Sequence, residues 1–143
     1  MIASSEWKPN QSNPQSFLAR SESGHSLTLD TSDEHADGPS PVELVLMALC
    51  SCTSVDVVSI LQKKREPLTG LTVTAHASRR DEHPRSFQSI RLVYKVSGVV
   101  NRKAVEDAVA LSKNKYCSVS AMLTGTASIH AEIELDPSDS HGD

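Results

Sequence analysis

The chain has 143 residues, a formal charge of −4, three cysteines, and only two phenylalanines, two tyrosines and one tryptophan. That length suits one domain with one core, and the core has to be aliphatic. An acidic balance with so few aromatic rings argues against nucleic-acid binding, and three cysteines do not make a secreted disulfide framework.

"MIASSEWKPN" has no basic start leading into an apolar stretch, so no secretory signal is expected and a cytoplasmic location is. No run of roughly 18 uninterrupted apolar residues is present, so no membrane partner is expected. Residues 1–14 are polar and carry Pro9 and Pro14; they read as a loosely held end with Trp7 as an anchor. "SFLARSESGHSLTLD" (16–30) reads as two short strands turning at Gly24, and 31–41 reads as a loop.

Ser40, Pro41 and Glu43 form a helix start. Serine caps, proline takes the first helical position, and glutamate three residues on completes a capping box. The helix is expected to run to about Arg65, where Glu66-Pro67 stops it. That is roughly 24 residues, or about 36 Å. From Leu44 to Cys50 it is apolar all round, which predicts burial on every side. A chain this small surrounds such a helix only as a dimer or with a sheet wrapped around it.

"LTVTAHASRR" (71–80) and "FQSIRLVYKVSG" (87–98) alternate as half-buried strands, joined through "DEHPRS". Asn101 caps a helix reaching about Lys115, with Ala104, Val105, Ala108, Val109 and Leu111 on its inner face. Residues 117–123 read as a further short helix and 126–135 as the last strand. Residues 136–143 read as a polar, disordered tail. The order is α+β in a single domain over 1–143.

Two helical residues two apart point about 200° away from each other. Cys50 and Cys52 therefore neither bridge nor share a metal ion, and the six histidines add no ligand spacing, so no metal is expected. Cys50 reads as core packing. Cys117 lies where the short helix begins, and free N–H groups at a helix start favour a thiolate; chemistry alone makes Cys117 the better nucleophile.

"GPSPVELVLMALCSCTSVDVV" and "KNKYCSVSAML" resemble the two cysteine motifs of the OsmC/Ohr superfamily, the osmotically inducible and organic hydroperoxide resistance proteins. There the first motif is Asn-Pro-Glu-x-Leu, an apolar helix, then cysteine; the second is Cys-Pro-Val-Ser. Cys52 aligns with the first cysteine and Cys117-Ser118-Val119-Ser120 with the second. The resemblance runs from about Trp7 to Leu135. "SGH", "SILQK" and "RRDEHPRSF" place it nearest the uncharacterised OsmC-like subgroup.

The resemblance implies an intertwined homodimer, with two long central helices wrapped by antiparallel sheets and an active site at the subunit interface. It implies that Cys52 is the peroxidatic thiol and Cys117 the resolving one, reducing a small organic hydroperoxide. An external dithiol reductant would then reset the pair, with no cofactor. Val42 stands where the family's peroxidases carry glutamate; Glu43 is one residue off, about 100° around the helix. Arg20 is the only arginine before the helix, and His25 and the Arg79/Arg80 pair are further candidate cations for activating the thiolate. Two readings stay open: a thiol peroxidase, and a non-catalytic dimer binding a small apolar or thiol-reactive ligand. A redox-sensor role has no DNA-reading module beside it.

Overall fold

Serine and glycine set the first turn of the chain. In "SESGH" the Ser21 N–H donates to the His25 carbonyl at 2.9 Å, and Gly24 adopts a φ of 90° that side chains disfavour. The flanking strands are β2 (Ser16–Ser21) and β3 (Ser26–Asp30), paired antiparallel. In the computed structural model, which describes residues 1–136, the chain divides into two compact units, Met1–Met47 and the remainder from Ala48.

In the first unit a third strand, β1 (Ala3–Glu6), pairs antiparallel with β2, giving the order β1-β2-β3. This corrects the reading of residues 1–14 as loose. All four β1 residues are exposed, so no buried alternation betrays the strand. Backbone pairing holds it instead, with the Ile2 carbonyl accepting from Glu22 N–H at 2.9 Å. Trp7 is an anchor in fact, through an indole N–H donated to the Pro14 carbonyl at 2.8 Å. Gly38 allows a close approach: a side chain there would collide with the Thr28 carbonyl of β3.

Helix α1 spans Pro41–Lys63. Its start is the expected capping box: Glu43 N–H donates to Ser40 Oγ at 3.2 Å, and Ser40 N–H donates to Glu43 Oε1 at 3.1 Å. Buried residues are Leu49, Thr53, Val57 and Leu61, four apart, so they form one stripe. Within one chain Val45 and Met47 of the apolar stretch are exposed, as is Val55 beyond it. Among the described residues α1 is the one helix long and apolar enough to cross a membrane by length and composition. Its buried stripe nonetheless carries a hydrogen-bonded threonine, which suits a core helix.

In the second unit β4 (Leu68–Arg79) pairs antiparallel with β5 (Phe87–Gly98), and β6 (Ser128–Leu135) runs parallel to β5. The expectation of purely antiparallel sheets is thus corrected. A parallel neighbour needs a crossover connection, and the helices between β5 and β6 provide it. Strand β4 begins earlier than the alternation suggested, because a register irregularity at Leu68 to Gly70 interrupts the pattern. Strand β5 is central and buries Ile90, Leu92, Tyr94 and Val96. Burying each large aliphatic side chain contributes about 1.5–3 kcal/mol.

Helix α2 (Arg102–Leu111) is capped by Asn101, whose side chain accepts from Ala104 N–H at 3.1 Å. Ala104, Val105, Ala108 and Val109 are buried as expected, but Leu111 is exposed. Ser112 is buried instead, one helical turn past Ala108, whose carbonyl accepts its N–H; from Ser112 the helix widens into a π-helical turn, Ser112–Tyr116. Helix α3 (Ser118–Leu123) follows, then β6. Asp136, the first residue of the expected tail, donates its N–H to the Val96 carbonyl at 2.9 Å; the rest of that stretch, residues 137–143, lies outside the described residues.

Candidate functional site

Cys52 and Asp56 lie one turn apart on α1 and so share a face. Both are half-buried, and Thr53 between them is fully buried. The π-helical turn brings the opposing residues. Cys117 N–H donates to the Ser112 carbonyl at 2.8 Å, five residues back instead of four. The Ser112 hydroxyl, on the inner face continued from Val105 and Ala108, reaches α1, where it donates to Asp56 Oδ2 at 2.8 Å. It also lies 2.8 Å from Thr53 Oγ1, which lies 2.7 Å from the Tyr94 hydroxyl.

The chemistry of the end group fixes the direction of this chain. A carboxylate only accepts, and each hydroxyl has one proton. Ser112 gives its proton to Asp56, so it accepts from Thr53; Thr53 in turn accepts from Tyr94. Burial raises the Tyr94 phenol pKa, against the Thr53 hydrogen bond, and the charges of Cys117, Cys50 and Asp56 raise it further.

Cys117 caps α3: its Sγ accepts from Ser120 N–H at 3.4 Å. It is 3% exposed. Burial pushes the Cys117 thiol up to about 11. The Ser120 N–H acts the other way, while Cys52 and the Asp56 carboxylate add to the rise. The expectation that the helix start would make Cys117 the readier thiolate is therefore overturned. One N–H at the start of a six-residue helix does not offset desolvation. Cys50 leaves α1 on another bearing. Burial raises its pKa.

Arg20, His25 and Glu43 belong to the first unit, whereas Cys52 and Cys117 belong to the second. Arg20 is exposed on β2 opposite Ser4 and Ser26. His25 is exposed at the β2–β3 turn. Glu43 is engaged by Ser40, which lowers its pKa, and by His35 Nε2 at 3.7 Å. In the second unit Arg80 donates to the Phe87 carbonyl at 2.9 Å and the Thr126 carbonyl at 3.0 Å. Arg79 donates to the Arg85 carbonyl at 2.7 Å. These two guanidiniums tie strand ends together.

Sequence reasoning missed Thr53, Asp56, Tyr94 and Ser112. Asp56 carried a signal, as a lone carboxylate inside "CTSVDVVSIL". Ser112 falls on the helical inner face after Val105, Ala108 and Val109, but a single serine there marks no chemistry. Beside Asp56 opens a cleft of about 370 Å³, walled by Ile60, Leu111 and Tyr116 with Lys63 and Lys64 at its edge. Neither Cys52 nor Cys117 is among the residues that line it.

Residues 33–134 match the family described as OsmC-like protein. Protein YhfA of Escherichia coli K12 is 42% identical over 120 residues, covering 83% of this chain and 89% of that protein. The crystal structure of a hypothetical protein from Aquifex aeolicus superposes with a TM-score of 0.78 at 33% identity, covering 94% of this chain and 96% of that one. An organic hydroperoxide resistance protein OsmC from Legionella pneumophila, described as a predicted redox protein, shares the fold. Its TM-score is 0.68 at 17% identity, covering 93% of this chain and 95% of that one. With a family match across both units and relatives of this similarity, the chain belongs to the OsmC-like protein family.

Proposed function

We propose that the protein reduces organic hydroperoxides, with Cys52 as the peroxidatic thiol and Cys117 as the resolving thiol. The Cys52 thiolate attacks the terminal oxygen of ROOH and the O–O bond breaks. The alkoxide takes up a proton and leaves as ROH, and Cys52 becomes a sulfenic acid. The Cys117 thiol then attacks that sulfur; a disulfide forms and the oxygen leaves as water. An external dithiol returns both thiols by exchange, and is oxidised to its own disulfide. No metal or cofactor enters the cycle.

The observation that carries this reading is the pair itself. Cys117 is almost fully buried, and burial, with Cys52 adding to it, raises its thiol pKa, which suits a thiol that acts second. In this reading the protein is a cytoplasmic homodimer, and the exposed Val45, Met47 and Val55 of α1 give the second copy an apolar face to cover.

Val42 in the glutamate position of the family's peroxidases favours a second reading, a dimer that binds a small apolar or thiol-reactive ligand without turnover. Stopped-flow consumption of cumene hydroperoxide separates the two. The first reading expects rapid consumption by wild type and none by Cys52→Ser, and a Cys52–Cys117 disulfide by mass spectrometry. Wild type no faster than Cys52→Ser leaves only the second.

A further inference from the structure

Ser112 is bonded in two directions at once. Its hydroxyl reaches α1, 2.8 Å from Asp56 Oδ2 and 2.8 Å from Thr53 Oγ1. Its carbonyl accepts the Cys117 N–H at 2.8 Å. Thr53 follows Cys52 directly and Asp56 lies one turn beyond it, so the α1 end of these bonds is beside Cys52. The other end is the backbone of Cys117.

We propose that Ser112 is the positioning residue of the thiol pair: locked onto α1 by Asp56 and Thr53, it holds Cys117 facing Cys52. The proposal rests on reading those two cysteines as a redox pair, and it adds a residue that the pairing alone does not name.

Three features make the clamp stiff. Ser112 and Thr53 are fully buried, so water does not compete for their hydrogen bonds. Each hydroxyl proton is committed in one direction because Asp56 only accepts. Neither Ser112 nor Thr53 can then rotate away without orphaning a buried neighbour. The bond from Ser112 to Cys117 is also the i to i+5 bond of the π-helical turn. An ordinary α-helical turn would rotate the segment and carry Cys117 off its bearing. A serine whose side chain bonds two α1 residues gives that wider turn a reason to persist. Fixing two reacting groups in orientation raises their effective concentration.

The readout is the stability of the Cys52–Cys117 disulfide, measured on the full chain in glutathione buffers with acid trapping and mass analysis. No peroxide is present, so peroxidase activity is not assumed. Ser112→Ala and Thr53→Val are expected to lower the effective concentration of the pair at least tenfold. That shift makes the potential about 30 mV less negative. Thr53→Ser keeps the hydroxyl and is expected to stay within twofold of wild type. A hydrogen-bonded cluster serving only the core would leave the potential unmoved. Circular dichroism checks folding, and if one of the two disruptive variants fails to fold, the other carries the comparison. A potential within twofold of wild type in the folded variants overturns the clamp. So does Thr53→Ser shifting as far as Thr53→Val, or a wild type that forms no such disulfide. A disulfide that forms normally in a protein that consumes no hydroperoxide removes the peroxidase reading and leaves the clamp standing.

Discussion

The Thr53 hydroxyl of α1 and the Tyr94 phenol of β5 meet at 2.7 Å, both out of reach of solvent. This bond is the inner end of the chain that finishes on Asp56, and its two partners are not equivalent. Tyr94→Phe removes one donor and keeps the ring, so it should destabilise by about 1 kcal/mol. Thr53→Val keeps the volume but orphans the buried phenol and takes away the donor to Ser112. It should cost about 2–3 kcal/mol. Urea denaturation measures both. A Thr53→Val variant no less stable than Tyr94→Phe would falsify the direction assigned to the chain.

Cys117 predicts a pH profile. Alkylation by iodoacetamide follows the thiolate, so its rate at Cys117 should stay low through neutral pH and rise only as the pH nears about 11. The linkage sign follows. The folded value lies above the unfolded value near 8.5, so the stabilising contribution is complete below about pH 8.5 and is lost as pH climbs toward 11. Cys52→Ser removes a neighbour that raises Cys117, and its alkylation profile should move to lower pH. Peptide-resolved mass spectrometry reads each cysteine separately. Half-maximal alkylation of Cys117 near pH 8 in folded protein would sink the assignment.

Much of this arrangement is legible in the residues, and the gaps have physical causes. Ser40, Pro41 and Glu43 announce the start of α1 because capping is local chemistry, and strand β5 shows in the alternation of Ile90, Leu92, Tyr94 and Val96. Strand β1 is silent because it buries nothing and is held by backbone pairing alone. The parallel placement of β6 beside β5 is a tertiary choice, and its alternation reads the same in either direction. At the site, local reasoning found Cys117 at a helix start but could not weigh burial, which reverses the sign of the effect. Ser112 sits in "LSKNKYC", where nothing marks a helix about to gain a residue in one turn.

Asp30 should make the first unit acid-sensitive. Its carboxylate accepts from Ser32 Oγ at 2.6 Å, Ser32 N–H at 2.8 Å and Asp37 N–H at 3.1 Å. Led by the Ser32 hydroxyl, these donors hold the carboxyl far below the usual carboxylate range. A folded value depressed in this way gives stabilisation that is present above about pH 4 and lost as pH falls further. The loop from Thr31 to Pro39 depends on those bonds. Asp30→Asn should loosen it at neutral pH, because an amide replaces a charged acceptor. Amide exchange at Ser32 and Asp37 is the measurement; protection unchanged in the variant would count against Asp30 as the organiser of that loop.

Ser120 offers a substitution expected to stabilise. Its N–H is engaged by Cys117 Sγ, but its hydroxyl is buried with no hydrogen-bond partner among the described residues. The residue is 2% exposed. A buried hydroxyl left unpaired carries its desolvation cost with no return. Ser120→Ala deletes that hydroxyl, leaves the backbone donor in place and opens a gap smaller than a methyl group. Stability in urea should rise by about 1 kcal/mol. The pH profile of Cys117 alkylation should not move, because the group acting on the sulfur is the N–H. A fall in stability would place a partner on the hydroxyl in solution and overturn the prediction. A shifted alkylation profile would assign the hydroxyl, not the backbone, to the Cys117 sulfur.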